Sequence, residues 1–406
     1  MKIAIVGAGF AGVATGRVLL RLKHEVTIFE AAPDVGGVWS KTRSYPGLST
    51  QSPASTYHFS DMPWPKDTPF CPTGPQVQAY IEVYVRQFGL QERLHLRTEV
   101  VSAAQGPDQR WIVITRQTDE SGQQLLSASL EQDTFDHIVI CNGPYSRPHL
   151  PKYPGKETFD AGGGRFLHSS EFLDVETARG KNILVVGYGK SACDVAVSAC
   201  STASSVTVVA RKLRWKFPHK ILGIVPTHMV LMPRIGEALF LFKEPGFVSR
   251  LLNGPLSFIR RAAMSFLQWA IQLRTGVQAL GLIPDSGIEH AADGTLSVVT
   301  DGFFEGVRDG KIAVLRETSI QSLGQNKHGR PMATLSNGTS VSADLVLAGT
   351  GWEQDIPFLA PETVAQIKNS RGDFVLYRWI QPPKVDGLWF NGYAGSLTNA
   401  SSCGEH

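Results

Sequence analysis

The chain has 406 residues, 42% of them hydrophobic and 18% charged, with a formal net charge of +3. That length suits two domains, or one domain inserted into another, and the charge balance makes no case for nucleic acid. No apolar run approaches the roughly 18–20 residues of a membrane-spanning helix; the most apolar region, 221–272, is broken by Pro226, Arg234, Lys243, Pro245 and Arg260-Arg261. Five cysteines (71, 141, 193, 200 and 403) form no C-x-x-C pair and no plausible metal cluster. With an N-terminus that enters a strand-like run at once, they read as the free thiols of a cytosolic protein.

Lys2–Val6 reads as a buried strand, Gly7-Ala8-Gly9-Phe10-Ala11-Gly12 as the turn after it, and the stretch to about Arg21 as an amphipathic helix. His24–Phe29 is a second apolar strand that ends on Glu30. In this arrangement Gly7 makes the tight turn, Gly9 lets backbone approach a pyrophosphate, and Gly12 permits close helix–strand packing. The helix N-terminus offers free N–H groups to the phosphates, and Glu30 stands where a carboxylate accepts hydrogen bonds from an adenosine ribose. The plain alternative is a glycine-rich turn with no ligand. The strand before, the helix after and the acid at its distance favour a dinucleotide site.

Further along, Val77, Tyr80, Ile81, Tyr84 and Phe88 share one face of an expected helix at 76–88, and strands are expected around 111–115 and 135–141. FDHIVICNG, ending on Gly143, and ADLVLAGTG, ending on Gly351, mirror each other, each an apolar strand opened by an aspartate (Asp136, Asp344). They are the expected crossings between two domains, and the proline- and glycine-rich 143–155 is the linker after the first.

At 181 the glycine pattern returns: Gly187, Gly189 and Ala192 repeat the spacing of Gly7, Gly9 and Gly12. The position matching Glu30 is Ala210, followed by Arg211 and Lys212. Losing the acid and gaining two cations suits a ribose bearing a 2′-phosphate, hence NADPH. A solvated basic loop is the alternative. Arg214, Lys216 and Lys220, interleaved with Trp215 and Phe217, also suggest single-stranded nucleic acid, but their place after a Rossmann second strand favours a cofactor. The expected fold is α/β, with two Rossmann-like dinucleotide-binding domains. The NADPH domain (151–324) is inserted into a discontinuous FAD domain (1–150 and 325–406). NADPH donates hydride and FAD is the natural acceptor. No closely spaced cysteine pair supports a disulfide reductase; Cys193 and Cys200 read as packing residues. Trp215, Phe240, Phe242, Phe247, Phe258, Phe266 and Trp269 mark 213–290 as a substrate-facing subdomain or, equally, as core.

In their order these motifs resemble the class B flavoprotein monooxygenases: the flavin-containing monooxygenases, the N-hydroxylating enzymes and the Baeyer–Villiger monooxygenases. GAGFAG, with Ala11, resembles their FAD fingerprint. GGVW (Gly37, Val38 and Trp39 after Gly36) resembles the Gly-Gly-x-Trp on the flavin, and 45–65 the segment under the isoalloxazine. GYGKSA, with Lys190 and Ser191, resembles the NADPH fingerprint, and LAGTGW, with Gly351, the interdomain Ala-Thr-Gly-Tyr motif. GRFLHSSEF matches the signature G-x-x-x-H-x-x-x-[F/W] at Gly164, His168 and Phe172. Val100 and Asn142 join the cofactor-binding set, and His168 with Ser169 is expected to organise the hinge and the nicotinamide half of NADP⁺.

The resemblance implies that NADPH reduces FAD, that O₂ gives a flavin C4a-(hydro)peroxide, and that this oxidises nitrogen, sulfur or a carbonyl carbon of a small organic substrate. Gln51 and His168 are the candidate catalytic residues. The flavin-containing monooxygenases place an asparagine at Gln51 and the Baeyer–Villiger enzymes an aspartate; glutamine keeps the amide donor. The arginine of the Baeyer–Villiger enzymes falls near Thr295, with Arg308 further along, which sets ketone insertion below heteroatom oxidation. Rival readings are an electron-transfer reductase serving a protein and a dinucleotide-binding scaffold without turnover. LSTQSP counts against the first, and the intact glycines, Glu30 and Arg211 against the second. After GLWFNGY (387–393) a helix over the FAD is implied, of which Thr398–His406 is only a first turn, so either the flavin is unusually open or, the favoured reading, the chain is shortened. Besides substrate and O₂, no nucleic-acid partner and no membrane span are expected.

Overall fold

Ile3, Ala4, Ile5 and Val6 are all buried, and with Lys2 they make the central strand β1 (Lys2–Val6) of a five-stranded sheet. The computed structural model describes residues 1–393 except 232, 234, 235, 237, 240–245 and 292–296. The expectations for Arg234, Phe240, Phe242, Lys243, Pro245, Thr295, Cys403 and Thr398–His406 lie outside the described residues. The chain divides into two compact units: Met1–Ser44, Ser52–Pro148 and the chain from Trp352 form the first, and Tyr45–Gln51 with His149–Gly351 the second.

In the first unit the strand order is Leu388–Phe390, His137–Ile140, β1, β2 (Glu25–Phe29) and Leu94–His95, every neighbouring pair parallel. Helix α1 (Phe10–Arg21) makes the crossover from β1 to β2, as parallel strands require. Helix α2 (Gly74–Gln87) buries Val77, Tyr80, Ile81 and Tyr84 as the spacing predicts. It starts two residues before the expected boundary because Thr73 and Gln76 form a capping box, and Phe88 is its C-cap. An antiparallel sheet of Thr98–Gln105, Trp111–Gln117 and Leu130–Phe135 lies in the same unit. The strand expected at 135–141 is two: Leu130–Phe135 ends before Asp136, and His137–Ile140 joins the parallel sheet.

The second unit repeats the plan. Its parallel sheet runs Arg165–His168, Leu345–Ala348, Asn182–Val186, Ser205–Ala210 and Ile312–Arg316. Asp136 Oδ2 accepts the Lys2 N–H at 2.7 Å, and Asp344 Oδ2 accepts the Asn182 N–H at 2.7 Å. Thus the two mirrored segments dock on the strand before the glycine turn of their own units through the same bond. The sequence reading ends the inserted part at 324, whereas the second unit runs to Gly351. The reason is pairing: Pro331–Leu335 and Ser340–Ser342 continue the ribbon begun by Ile320–Gln325, and Leu345–Ala348 is an inner strand of the parallel sheet. Tyr45–Gln51 also departs from the expected 1–150. Helices α3 (Lys156–Ala161) and α4 (Lys190–Ala199) belong to this unit, α4 filling the place of α1.

Candidate active site

β1 ends at Gly7, whose φ of +106° favours glycine, and a Cβ there would lie 2.6 Å from the Cys141 carbonyl oxygen. A Cβ on Gly12 would lie 1.8 Å from Gly7 O, so α1 rests directly on the turn and no larger residue fits. Gly9 is the N-cap of α1 and no side chain caps the helix. The orphan N–H groups of its first turn therefore remain for a ligand. Gly37 backs the loop: a Cβ on it would meet Gly9 Cα at 3.1 Å, and the Gly36 N–H donates to Ala8 O at 3.0 Å. Val38 is half-buried, while Trp39 is buried and its Nε1–H donates to the Tyr57 hydroxyl at 2.9 Å.

Glu30 Oε2 accepts the Ala8 N–H at 2.7 Å and Oε1 the Ala32 N–H at 2.9 Å. Burial pushes its carboxyl above the ordinary glutamate range, against the pull of those amides and of the Arg43 charge. Each oxygen keeps acceptor capacity for a ribose hydroxyl. Ala11 is buried in the first turn of α1. Val100 lies in the core with Val6 and Phe29, so its side chain is spent on packing. Asn142 donates to Asp355 O at 2.9 Å and accepts from the Tyr393 hydroxyl.

The second loop has the same turn at Gly187, with φ +113° and Gly349 O 2.5 Å from a Cβ placed there. Its third position is Ala192, and the close approach has moved to the neighbouring strand end. A Cβ on Gly349 would lie 2.6 Å from Ala192 Cβ. Gly189, the uncapped N-cap of α4, has nothing within 4 Å of a Cβ, so open space adjoins the loop. Arg211 and Lys212 are exposed directly after the strand that ends on buried Ala210. Neither forms an ion pair among the described residues. Lys190 differs: its ammonium is paired with Asp194 one turn on, and Asp194 is 1% exposed. Thr300 donates to Asp194 at 2.5 Å, and the Tyr45 hydroxyl reaches Ser191 Oγ at 3.0 Å and Asp194 Oδ2 at 3.2 Å. Burial and the Asp194 charge hold the Tyr45 hydroxyl well above its usual pKa. Sequence reasoning missed Asp194 and Tyr45; the Lys190/Asp194 spacing of four on a helix was the available signal.

His168 is fully buried at the end of Arg165–His168. Its Nδ1 accepts from the Ser170 N–H at 3.3 Å and lies 2.8 Å from Ser170 Oγ, and its Nε2 stands 3.1 Å from Gly351 O. A carbonyl can only accept, so the proton sits on Nε2 and the ring is neutral. Both nitrogens are occupied by protein, which makes the ring a pin between two strand ends. Ser169 is buried beside it, and Gly351 turns with φ +88°. Gln51 is exposed, with Oε1 accepting the Val298 N–H at 3.2 Å. Ser198 Oγ donates to Pro46 O at 2.7 Å, so 45–51 is fastened at several points to the second unit. Of the aromatics at 213–290, Trp215 is core, whereas Phe247, Phe258, Phe266 and Trp269 are exposed. Among the described residues no helix is long and apolar enough to cross a membrane.

Both loops thus fit a dinucleotide diphosphate: uncapped helix ends, a glycine turn no side chain could replace, and beside Gly189 room for a ligand. The model of the flavin-binding monooxygenase-like family matches residues 1–255. The chain belongs to that family. It is a flavin-dependent NADPH monooxygenase, an oxidoreductase using O₂, with FAD and NADPH as cofactors. It is similar to a probable flavin-containing monooxygenase 1 of Arabidopsis thaliana, 25% identical over 435 residues that cover 98% of this chain and 79% of the relative. Among solved structures, the S-allyl-L-cysteine S-oxygenase from Allium sativum superposes with a TM-score of 0.59 at 20% identity, covering 99% of this chain and 74% of that one. The cyclohexanone monooxygenase from Rhodococcus sp. Phi1 bound to NADP⁺ gives 0.68 at 18%, covering 98% and 81%. These two likenesses show the fold: mixed α/β with two Rossmann-like domains.

Proposed function

We propose that the enzyme places one atom of O₂ on a nitrogen or sulfur atom of a small organic molecule, the other atom leaving as water at the expense of NADPH. The observation that carries the cofactor assignment is the contrast after the two second strands. Glu30 is held by two amides with acceptor capacity to spare, which suits the unmodified ribose of FAD. Ala210, Arg211 and Lys212 present no acid and two cations without an ion pair among the described residues, which suits the 2′-phosphate of NADPH. Bound FAD would supply the oxygen-activating chemistry. The protein's part is binding, orientation and exclusion of water.

Gln51 is the residue we assign to the reacting end. With Oε1 held by the Val298 N–H, its Nε2 is left to offer a neutral donor. An amide brings no negative charge, and this favours heteroatom oxidation over ketone insertion. His168 acts as a positioning residue, because its two nitrogens are committed to Ser170 and Gly351. Five scattered cysteines with no C-x-x-C pair support a cytosolic setting.

The test offers the purified FAD-loaded enzyme a tertiary amine, a thioether and a cyclic ketone, and measures product against NADPH consumed. The amine or thioether should give product close to stoichiometric with NADPH, and the ketone should give none. Lactone formation from the ketone instead would reverse the reading. In Gln51→Ala, NADPH oxidation should persist while product falls about tenfold or more and H₂O₂ rises, the loss of one charge-stabilising donor at a reacting centre.

A further inference from the structure

Lys216, one of the cations interleaved with Trp215 and Phe217, is 2% exposed. Its ammonium donates to the Tyr188 carbonyl at 2.9 Å and to Ser297 Oγ at 3.1 Å, is hydrogen-bonded to the buried Cys193 thiol, whose pKa burial pushes up, and stands 4.6 Å from the centroid of the Tyr188 ring. Among the described residues no carboxylate oxygen lies within 4.0 Å of it. Asp194, on the adjacent helix α4, is already shared by Lys190, Thr300 and Tyr45. A buried ammonium without a counter-ion is expensive, and neutral acceptors offset only part of that cost.

The partner it has chosen is informative. Tyr188 lies between Gly187 and Gly189, inside the second glycine loop. No peptide bond is cis, and in a trans peptide the C=O of one residue and the N–H of the next point in opposite directions. Drawing the Tyr188 carbonyl toward Lys216 therefore turns the Gly189 N–H away from it. That N–H makes no hydrogen bond among the described residues, and Gly189 has open space beside it.

We propose that Lys216 is the fixed countercharge of this loop, fixing the Tyr188–Gly189 peptide from the protein side and favouring the diphosphate of NADP(H) on the other. It is a positioning residue that does not touch the ligand, and Lys190 cannot replace it, being neutralised by Asp194. The proposal rests on assigning the second loop to NADPH.

The FAD-loaded enzyme should be titrated calorimetrically with NADP⁺, and with adenosine 2′-monophosphate, which lacks the diphosphate, as a competitor. Lys216→Met and Lys216→Gln should each weaken NADP⁺ about tenfold or more, the worth of a charge-assisted contact, and leave the affinity for the monophosphate unchanged. Arg211→Ala should weaken both ligands. If Arg211→Ala weakens NADP⁺ and Lys216→Met does not, the countercharge is wrong. It is also wrong if the Lys216 variants lose both ligands equally, or if glutamine restores wild-type affinity. If Arg211→Ala leaves NADP⁺ untouched, the assignment of the loop to NADPH fails and takes the proposal with it.

Discussion

Glu30 shows how one side chain carries a whole assignment. Its carboxyl is raised by burial, and only the ionised form accepts hydrogen bonds from ribose hydroxyls through both oxygens. FAD affinity should therefore be full above the raised pKa and fall as pH drops through it, at a higher pH than an ordinary glutamate would allow. The stability of the flavin-free chain carries the opposite sign. Between the ordinary and the raised value the folded state holds the proton more tightly, so this group's contribution declines as pH rises. Fluorescence titration of the apoenzyme with FAD from acid to neutral pH tests this. Glu30→Gln should bind FAD more weakly and lose the acid-side fall; an unchanged profile would remove Glu30 from the site. The placing of Arg211 and Lys212 directly after a strand was equally legible, since apolar Ser205–Ala210 marks where that strand ends. The pairing of Lys190 was not read from the sequence: Asp194 one turn later takes its charge. Burial of the Val100 side chain among Val6 and Phe29 was not legible either, because the run around it does not reveal which face the core occupies.

At the level of elements, the strand–turn–helix–strand units were readable because apolar runs and glycine spacing leave few alternatives. The two loops nevertheless differ in what their glycines do, and mutation should separate them. Gly12→Ala would drive a methyl to within 1.8 Å of Gly7 O, so α1 must shift and the protein should lose FAD and solubility together. Gly189→Ala meets no protein atom within 4 Å, so the variant should fold with an unchanged melting temperature yet lose NADP⁺ binding, because the methyl stands where the diphosphate must come. Thermal melts with NADP⁺ titration check both; wild-type affinity in Gly189→Ala would contradict the assignment. What local pattern could not show was membership. Residues 45–51 join the second unit through Ser191, Ser198 and Val298, partners far away in sequence.

On the scale of the whole molecule, two units whose parallel sheets share the order of four strands, each with an aspartate fastening the mirrored segment to the strand before the glycine turn, were foreseeable from the mirrored segments. The boundary at Gly351 was not, because a three-stranded ribbon and an inner strand continue the second unit past 324. Nor were the exposed aromatics at 247, 258, 266 and 269, whose helical spacing is the same whether they face core or solvent. With the family established, the central claim is that this chain oxygenates a small molecule's heteroatom rather than merely oxidising NADPH. Turnover of an amine or thioether under ¹⁸O₂, followed by mass spectrometry, tests it most directly. One labelled oxygen atom should appear in the product, with the other in water and NADPH consumed in equal amount. Unlabelled product, or NADPH oxidation that yields only labelled H₂O₂ with every amine and thioether offered, would contradict it.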